Sequence, residues 1–360
     1  MDAEFVKALL GWYAENARDL PWRRTRDPYA VWVSEIMLQQ TRVEAVRGYY
    51  ARFMEALPDL DALAACPEDR LMKLWEGLGY YSRVRNMQKA ARQILSDFGG
   101  EMPRTAGELK KLAGIGEYTA GAIASIAFGQ REPAVDGNVL RVAARVMAIR
   151  EDVTSPAVRR RVRDALVAAD DGTADWGSLN QAFMDLSSSV CLVNRPPLCG
   201  ECPVAGACQA RKMGLTDEIP NRGDKQRRRS EARTVLILLD GDRLGIRRRP
   251  PSGLLAGLYE FPSVEGALTS DEAVREAEKL GVTALRIRPL PAARHLFTHL
   301  AWEMQAYEIK TAPHGDKNDN TLIFAEPSAI EQRYPLPGAL EAYASLYGIR
   351  IGRRTKEEVS

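Results

Sequence analysis

The spacing of apolar positions divides the chain into two textures. Up to about residue 215, apolar residues recur with helical period, with capping residues or Pro before each run and Gly after it. "RDPYAVWVSEIMLQQT" places Asp27 as a cap and Pro28 in the first turn, and "DFGG" closes a helix through "SRVRNMQKAARQIL". "TAGELKKLAGIGEYTAGAIASIAFG" opens on a capping box, Thr105 with Glu108, and its "GIG" turn leads into a second helix that Gly129 ends. In "PAVDGNVLRVAARV", Asp136 stands where a helix N-cap belongs. The texture then changes. "RTVLILLDGDRLGIRRR" reads as strand, Asp-Gly turn, strand; "TSDEAVREAEKLG" reads as a helix; "ALRIRPL" and "AWEMQAYEIK" read as strands. Between the two textures, residues 221–233 ("NRGDKQRRRSEAR") hold six basic and two acidic residues and no large apolar side chain, the composition of a linker. The pattern therefore predicts an all-α region at 1–220, a basic linker at 221–233 and a smaller α+β domain at 234–355.

Composition narrows the function classes. The 360 residues, 45% of them hydrophobic, suffice for two cored domains. Lys and Arg number 50 against 48 Asp and Glu, so no global field recruits nucleic acid and any basic surface is local. Neither a signal-type leader nor a membrane-spanning run is present, and the expectation is a soluble protein of the cytoplasm, a reducing compartment. There, four of the five cysteines crowding into "VCLVNRPPLCGECPVAGAC" (190–208) read as metal ligands rather than disulfides. Seven residues separate Cys191 from Cys199, two separate Cys199 from Cys202, and five separate Cys202 from Cys208. A single C-x2-C unit with uneven loops favours an iron–sulfur cluster over zinc, although the spacing admits both. Cys66 lies apart and reads as core packing.

Two further features carry candidate chemistry. Gly114 and Gly116 let the backbone approach a partner, and the amides opening the second helix form an anion nest suited to a DNA phosphate; an ordinary αα-hairpin accounts for the same residues. Glu35 lies in an apolar helix, where desolvation raises a carboxyl pKa towards neutrality and keeps it protonated. Glycosidic cleavage uses one carboxyl to protonate the leaving group and another to offset the oxocarbenium charge. Glu35 and Asp136 suit these roles if the fold joins them; each also has a plain structural reading, as a surface helix residue and an N-cap.

Taken in order, "LPWR", "SEIMLQQT", "LWEGLGYYSR", "LAGIGEYTAGAIASIAFG", "VDGNVLRV", "NQAFMDL" and the cysteine cluster resemble the helix-hairpin-helix DNA glycosylases, in particular their adenine-specific branch. "RRRPPSGLLAGLYEFP" and "HLFTHL" extend the resemblance into that branch's Nudix-like C-terminal domain. The resemblance implies a six-helix barrel with a helix-hairpin-helix and an iron–sulfur domain, and removal of adenine mispaired with 8-oxoguanine in duplex DNA by a monomeric, nucleoid-associated enzyme. It implies Glu35 as the acid at adenine N7, Asp136 as the carboxylate beside the deoxyribosyl cation, and Tyr118 and Asn138 as residues ordering them. Trp22, Arg23, Leu38 and Gln181 match the adenine pocket. Gln40, Thr41, Leu78 and Tyr80 match the 8-oxoguanine side, with Tyr80 as a wedge in the base stack. Gly114 and Gly116 match the DNA-binding hairpin, and Phe297, Thr298 and His299 the loop that reads the damaged base. Cys191, Cys199, Cys202 and Cys208 match ligands of a 4Fe-4S cluster.

Where lyase-type relatives carry a Lys nucleophile, this chain has Tyr118, which implies a monofunctional glycosylase. The first cysteine loop is one residue longer than usual in the family. Ala113 replaces a Pro, Thr298 a Ser, and Tyr259 a Trp. Hydrolysis of nucleoside diphosphates by the C-terminal domain is disfavoured, since Lys279 and Leu280 stand where a metal-binding Nudix box needs acids. A bifunctional lyase and a non-catalytic mismatch binder are the remaining alternatives.

Overall fold

A computed structural model describes residues 1–223, 228–314 and 322–352. Residues 224–227 of the linker stretch and 315–321 and 353–355 of the expected C-terminal domain lie outside the described residues. The chain forms two compact units, one comprising 1–65 and 85–224, the other 66–84 and 225–360. The second unit therefore contains a segment drawn from the middle of the helical texture.

The helices are α1 (Ala3–Asn16), α2 (Pro28–Leu38), α3 (Val43–Ala56), α4 (Leu60–Ala65), α5 (Glu68–Leu74), α6 (Ser82–Asp97), α7 (Ala106–Leu109), α8 (Glu117–Phe128), α9 (Gly137–Met147), α10 (Pro156–Ala169), α11 (Trp176–Ser189) and α12 (Gln209–Lys212). Asp side chains cap α1, α2, α9 and α11, each accepting from backbone amides of the first turn. At α7 the Thr105 side chain accepts from the Glu108 amide, and its hydroxyl donates to the Glu108 carboxylate. Gly129 ends α8 in the left-handed conformation. One core of the first unit joins Phe5 and Leu9 of α1 to Val139, Leu140 and Ala143 of α9 and to Leu179, Ala182 and Phe183 of α11. Helix α11 packs on both α8 and α9, whose N-terminal ends carry Tyr118, Asp136 and Asn138 of the site described below.

The second unit is built on β1 (Arg229–Asp240), β2 (Arg243–Arg248), β3 (Tyr259–Glu260), β4 (Ser263–Glu265), β5 (Ala284–Leu296), β6 (Leu300–Thr311) and β7 (Ile323–Ala325). The sheet runs β3-β2-β1-β6-β5, with β4 on β1 and β7 on β2. The expected hairpin forms: Asp240 pairs with Arg243 across a two-residue turn, and Gly241 takes φ +59°. The strand begins inside the stretch read as linker, because Arg229 to Leu239 pair in parallel with Leu300 to Lys310 and tertiary pairing overrides the polar composition. Likewise β5 continues past "ALRIRPL" to Leu296. Its register shift between Leu290 and Ala293 surrounds Pro291, which a bulge in the outermost strand tolerates. One face buries Val235, Ile237, Trp302 and Met304. The other buries Leu236, Leu238 and Ile309 under Ala273 and Ala277 of α13 (Ser270–Glu278). Two short helices, α14 (Pro327–Arg333) and α15 (Glu341–Ala344), complete the unit. Among the described residues no helix is long and apolar enough to cross a membrane.

Candidate active site

A cleft of about 700 Å³ in the first unit is lined from α2 and its end, the 3-10 turn Pro21–Arg23, and the starts of α8 and α9 together with α11. Glu35 and Asp136, 101 residues apart in the chain, both line it. The Tyr118 hydroxyl donates to Glu35 Oε2 at 2.8 Å. Burial pushes the Glu35 carboxyl up to about 7; the Tyr118 hydrogen bond and Arg23 oppose this shift, and the negative charge of Asp136 adds to it. Burial likewise raises the Tyr118 hydroxyl, with both carboxylates contributing. An acid that holds its proton near neutral pH is therefore set on the wall of a cleft.

Asp136 is a helix cap and a cleft residue at once. Its Oδ1 accepts from the amides of Asn138 (2.8 Å) and Val139 (2.9 Å), and its Oδ2 accepts from Asn138 Nδ2 at 2.8 Å. Burial raises its pKa, and these three donors with Arg141 draw it back. The carboxylate is thus fixed in direction while its charge is only partly neutralised. Arg141 donates to Asn138 Oδ1 at 3.2 Å, to the Ser187 carbonyl at 2.9 Å and to the Cys191 carbonyl at 3.0 Å, tying the carboxylate's neighbour to the cysteine segment.

Trp22, Arg23, Leu38 and Gln181 line the same cleft, as do Gln40 and Thr41 at the end of α2. Trp22 is buried edge-on against Tyr50 with ring centroids 5.3 Å apart. Gln181 accepts from the Tyr13 hydroxyl at 3.2 Å. The sequence reading missed Asp185, although "NQAFMDL" contains it. This carboxylate, buried within α11, receives Arg23 through two bonds of 2.6 and 2.9 Å and Arg18 at 2.7 Å, so it orients the arginine at the cleft. An acid in the middle of a core-facing helix was the available signal. Gln39, also missed, lines the cleft and donates to Thr119 Oγ1 at 3.3 Å.

Gly114 turns between α7 and α8 at φ +75°, and a Cβ there would stand 2.6 Å from Asn86 Cβ. Gly116 caps α8 with open space beside it.

In the second unit, Leu78 is buried and Tyr80 is exposed in the left-handed conformation, φ +48°. The hydroxyls of Tyr80 and Thr298 are hydrogen-bonded to each other. Phe297 packs edge-on against Trp302 and His295, and His299 is exposed.

All four clustered cysteines line one small cavity whose other walls include Val142, Val146, Leu186 and Val204. Burial pushes the Cys202 thiol up to about 11, and Cys191, Cys208 and Cys199 act on it as like charges. Arg145 donates to Cys191 Sγ at 3.2 Å. Among the described residues, no three His, Cys, Asp or Glu side chains gather closely enough to hold a single metal ion. The four thiols instead stand around one apolar cavity.

Residues 33–166 match the HhH-GPD superfamily of base excision DNA repair proteins, and residues 234–346 match the NUDIX domain family. An adenine DNA glycosylase of Mus musculus is 38% identical over 379 positions, covering 86% of this chain and 73% of the relative. That of Homo sapiens is 37% identical, covering 85% of this chain and 66% of its own length, and that of Buchnera aphidicola subsp. Baizongia pistaciae is 30% identical, covering 82% and 83%. Among solved structures, a thermostable thymine-DNA glycosylase superposes with a TM-score of 0.52 at 27% identity, over 58% of this chain and 95% of that one. A helical HhH-GPD region followed by a NUDIX domain, together with relatives matched over most of the sequence, leads to one conclusion: the chain belongs to the adenine DNA glycosylase family of base excision repair enzymes.

Proposed function

We propose that the protein hydrolyses the N-glycosidic bond of adenine mispaired with 8-oxoguanine, or with G, in duplex DNA, as a monofunctional enzyme acting as a monomer on cytoplasmic, nucleoid-associated DNA. The observation that carries this reading is the pair Glu35 and Asp136 on one cleft, with Glu35 held protonated up to about pH 7. Adenine is a poor leaving group until a ring nitrogen is protonated, and Glu35 delivers that proton at N7. Tyr118 occupies Oε2 of Glu35 and leaves Oε1 for the base. As the glycosidic bond lengthens, positive charge grows on the sugar, and Asp136, aimed by two amides and Asn138, offsets it. Trp22, Arg23, Leu38 and Gln181 form the pocket for the extruded adenine; extrusion costs least at a mispair. Gln40, Thr41, Leu78 and Tyr80 meet the opposite base, where the Tyr80 ring replaces lost stacking, and Phe297, Thr298 and His299 read 8-oxoguanine. The Gly114–Gly116 hairpin holds a phosphate.

Within a six-helix barrel and its iron–sulfur domain, Cys191, Cys199, Cys202 and Cys208 would hold a 4Fe-4S cluster. When bound, it cross-links residues 191–208 and offsets the mutual repulsion of four thiolates. Arg141 and Arg145 join that segment to the helix that Asp136 caps.

The test uses a labelled duplex with one A opposite 8-oxoguanine, with half of each sample treated with hot alkali. Strand cleavage after alkali only, absent on an A·T duplex and lost in Glu35→Gln, is the expected result. Cleavage without alkali contradicts the assignment of Tyr118 in place of a lysine nucleophile, and binding without product leaves only a lesion-recognition protein.

A further inference from the structure

We infer that Glu76 is a positioning residue that ties the Tyr80 turn to the C-terminal end of its own unit, so that the wedge is set by residues 334–352; this rests on the role proposed for Tyr80. Between Glu76 and Tyr80 the chain passes through Gly77 at φ +94° and Gly79 at φ +68°, and Tyr80 itself sits at φ +48°. Two glycines make such a turn free to move, and a tyrosine with positive φ is held only where its surroundings impose it.

The surroundings are specific. Glu76 is 5% exposed, and its carboxylate accepts from the Leu336 amide at 2.8 Å, the Gly352 amide at 3.3 Å and Lys73 Nζ at 2.8 Å. Lys73 also reaches the Tyr334 carbonyl at 3.4 Å. One turn earlier, Asp69 pairs with Arg248 at 2.9 Å. On the far side of the turn, Trp75 Nε1 donates to the Gly79 carbonyl at 3.1 Å, and Arg83 donates to the carbonyls of Leu78 at 2.9 Å and Gly79 at 3.1 Å. Trp75 and Arg83 fix the shape of the turn locally. Glu76, next to the turn, holds it to two backbone amides some 260 residues and more further on, and Lys73, itself bound to Glu76, adds a link to the Tyr334 carbonyl. Two backbone amides and an ammonium on one buried carboxylate form a directional clamp, and a neutral side chain cannot satisfy all three donors.

The experiment compares Glu76→Ala, Glu76→Gln, Tyr80→Ala and Glu76→Ala/Tyr80→Ala in the full chain. Single-turnover adenine release from the A·8-oxoguanine duplex is followed as enzyme concentration varies. The half-saturating concentration should rise about fivefold or more in Glu76→Ala, and less in Glu76→Gln, with the plateau rate unchanged. Once Tyr80 is Ala, removing Glu76 should add nothing. Amide hydrogen exchange over residues 77–81, measured without DNA, should quicken in both Glu76 variants. Unaltered exchange, or losses from Glu76 and Tyr80 that simply add, overturn the inference. If Glu76→Ala does not fold, Glu76→Gln, which keeps one acceptor oxygen, gives the same two readings. A parent protein that releases no adenine fails the functional reading instead, and the exchange experiment still decides the clamp.

Discussion

An ionised Glu35 would be costly where it lies, and this cost sets its pH behaviour. Its folded pKa of about 7 exceeds the ordinary value of 4.5, so between these values the folded protein holds a proton that the unfolded chain has released. The associated stability is fully present below pH 4.5, is lost as pH rises to about 7, and changes no further above it. Glu35→Gln is neutral at every pH. We expect its melting temperature to overtake the parent's progressively across that window, with the largest gain at pH 8, measured by thermal melts at pH 5 and pH 8. Adenine release by the parent should decline above about pH 7, as the acid loses its proton. A parent profile flat to pH 9, or a variant no more stable at pH 8 than at pH 5, would remove the case for a buried acid. Asp136 does not share this behaviour to the same degree, since three hydrogen-bond donors oppose the effect of its burial.

At the scale of elements, the hairpin glycines play different parts. Gly114 combines φ +75° with a Cβ position already occupied by Asn86, so Gly114→Ala adds strain to a clash and should cost about 2 kcal/mol or more. Gly116 caps α8 in an extended conformation with open space beside it. Gly116→Ala should stay within about 1 kcal/mol of the parent in urea unfolding and instead weaken DNA binding, because the space it fills is the approach to the helix amides. Equal stability of both variants would contradict this division. What the sequence made legible was local: the Asp caps of α2 and α9, the Gly129 stop, the Asp240–Arg243 hairpin and the run of four cysteines each depend on neighbours within a few residues. What it left hidden was set by distant partners. Arg229 to Ala232 became strand because β6 supplied a ladder, and residues 66–84 joined the second unit through contacts of Asp69, Lys73 and Glu76 with residues 248 to 352. Asp185 shows in sequence only as an acid within a core-facing helix, and what it does is settled by Arg18 and Arg23, both more than 160 residues away in the chain.

For the whole molecule, 50 basic against 48 acidic residues leave a formal charge of +2, too little to draw in a polyanion from a distance. Several arginines are already ion-paired within the chain: Arg23 to Asp185, Arg131 to Asp170, Arg247 and Arg249 to Glu260, and Arg288 to Glu308. Affinity for DNA then rests on exposed cations close to the duplex, and each phosphate they neutralise releases counterions. The logarithm of the association constant should fall linearly with the logarithm of salt concentration, with a slope of about −0.9 per phosphate contacted. Lys110 and Lys111 are exposed at the approach to the Gly114–Gly116 turn. Lys111→Ala should lower affinity on every duplex alike and reduce the slope by about 1, while leaving the plateau rate of base release unchanged. Titration of a labelled duplex between about 50 and 200 mM salt, the range over which phosphate contacts weaken steeply, measures both quantities. A flat dependence in the parent would remove phosphate contacts from the recognition scheme, and an unchanged slope in Lys111→Ala would move them away from the hairpin.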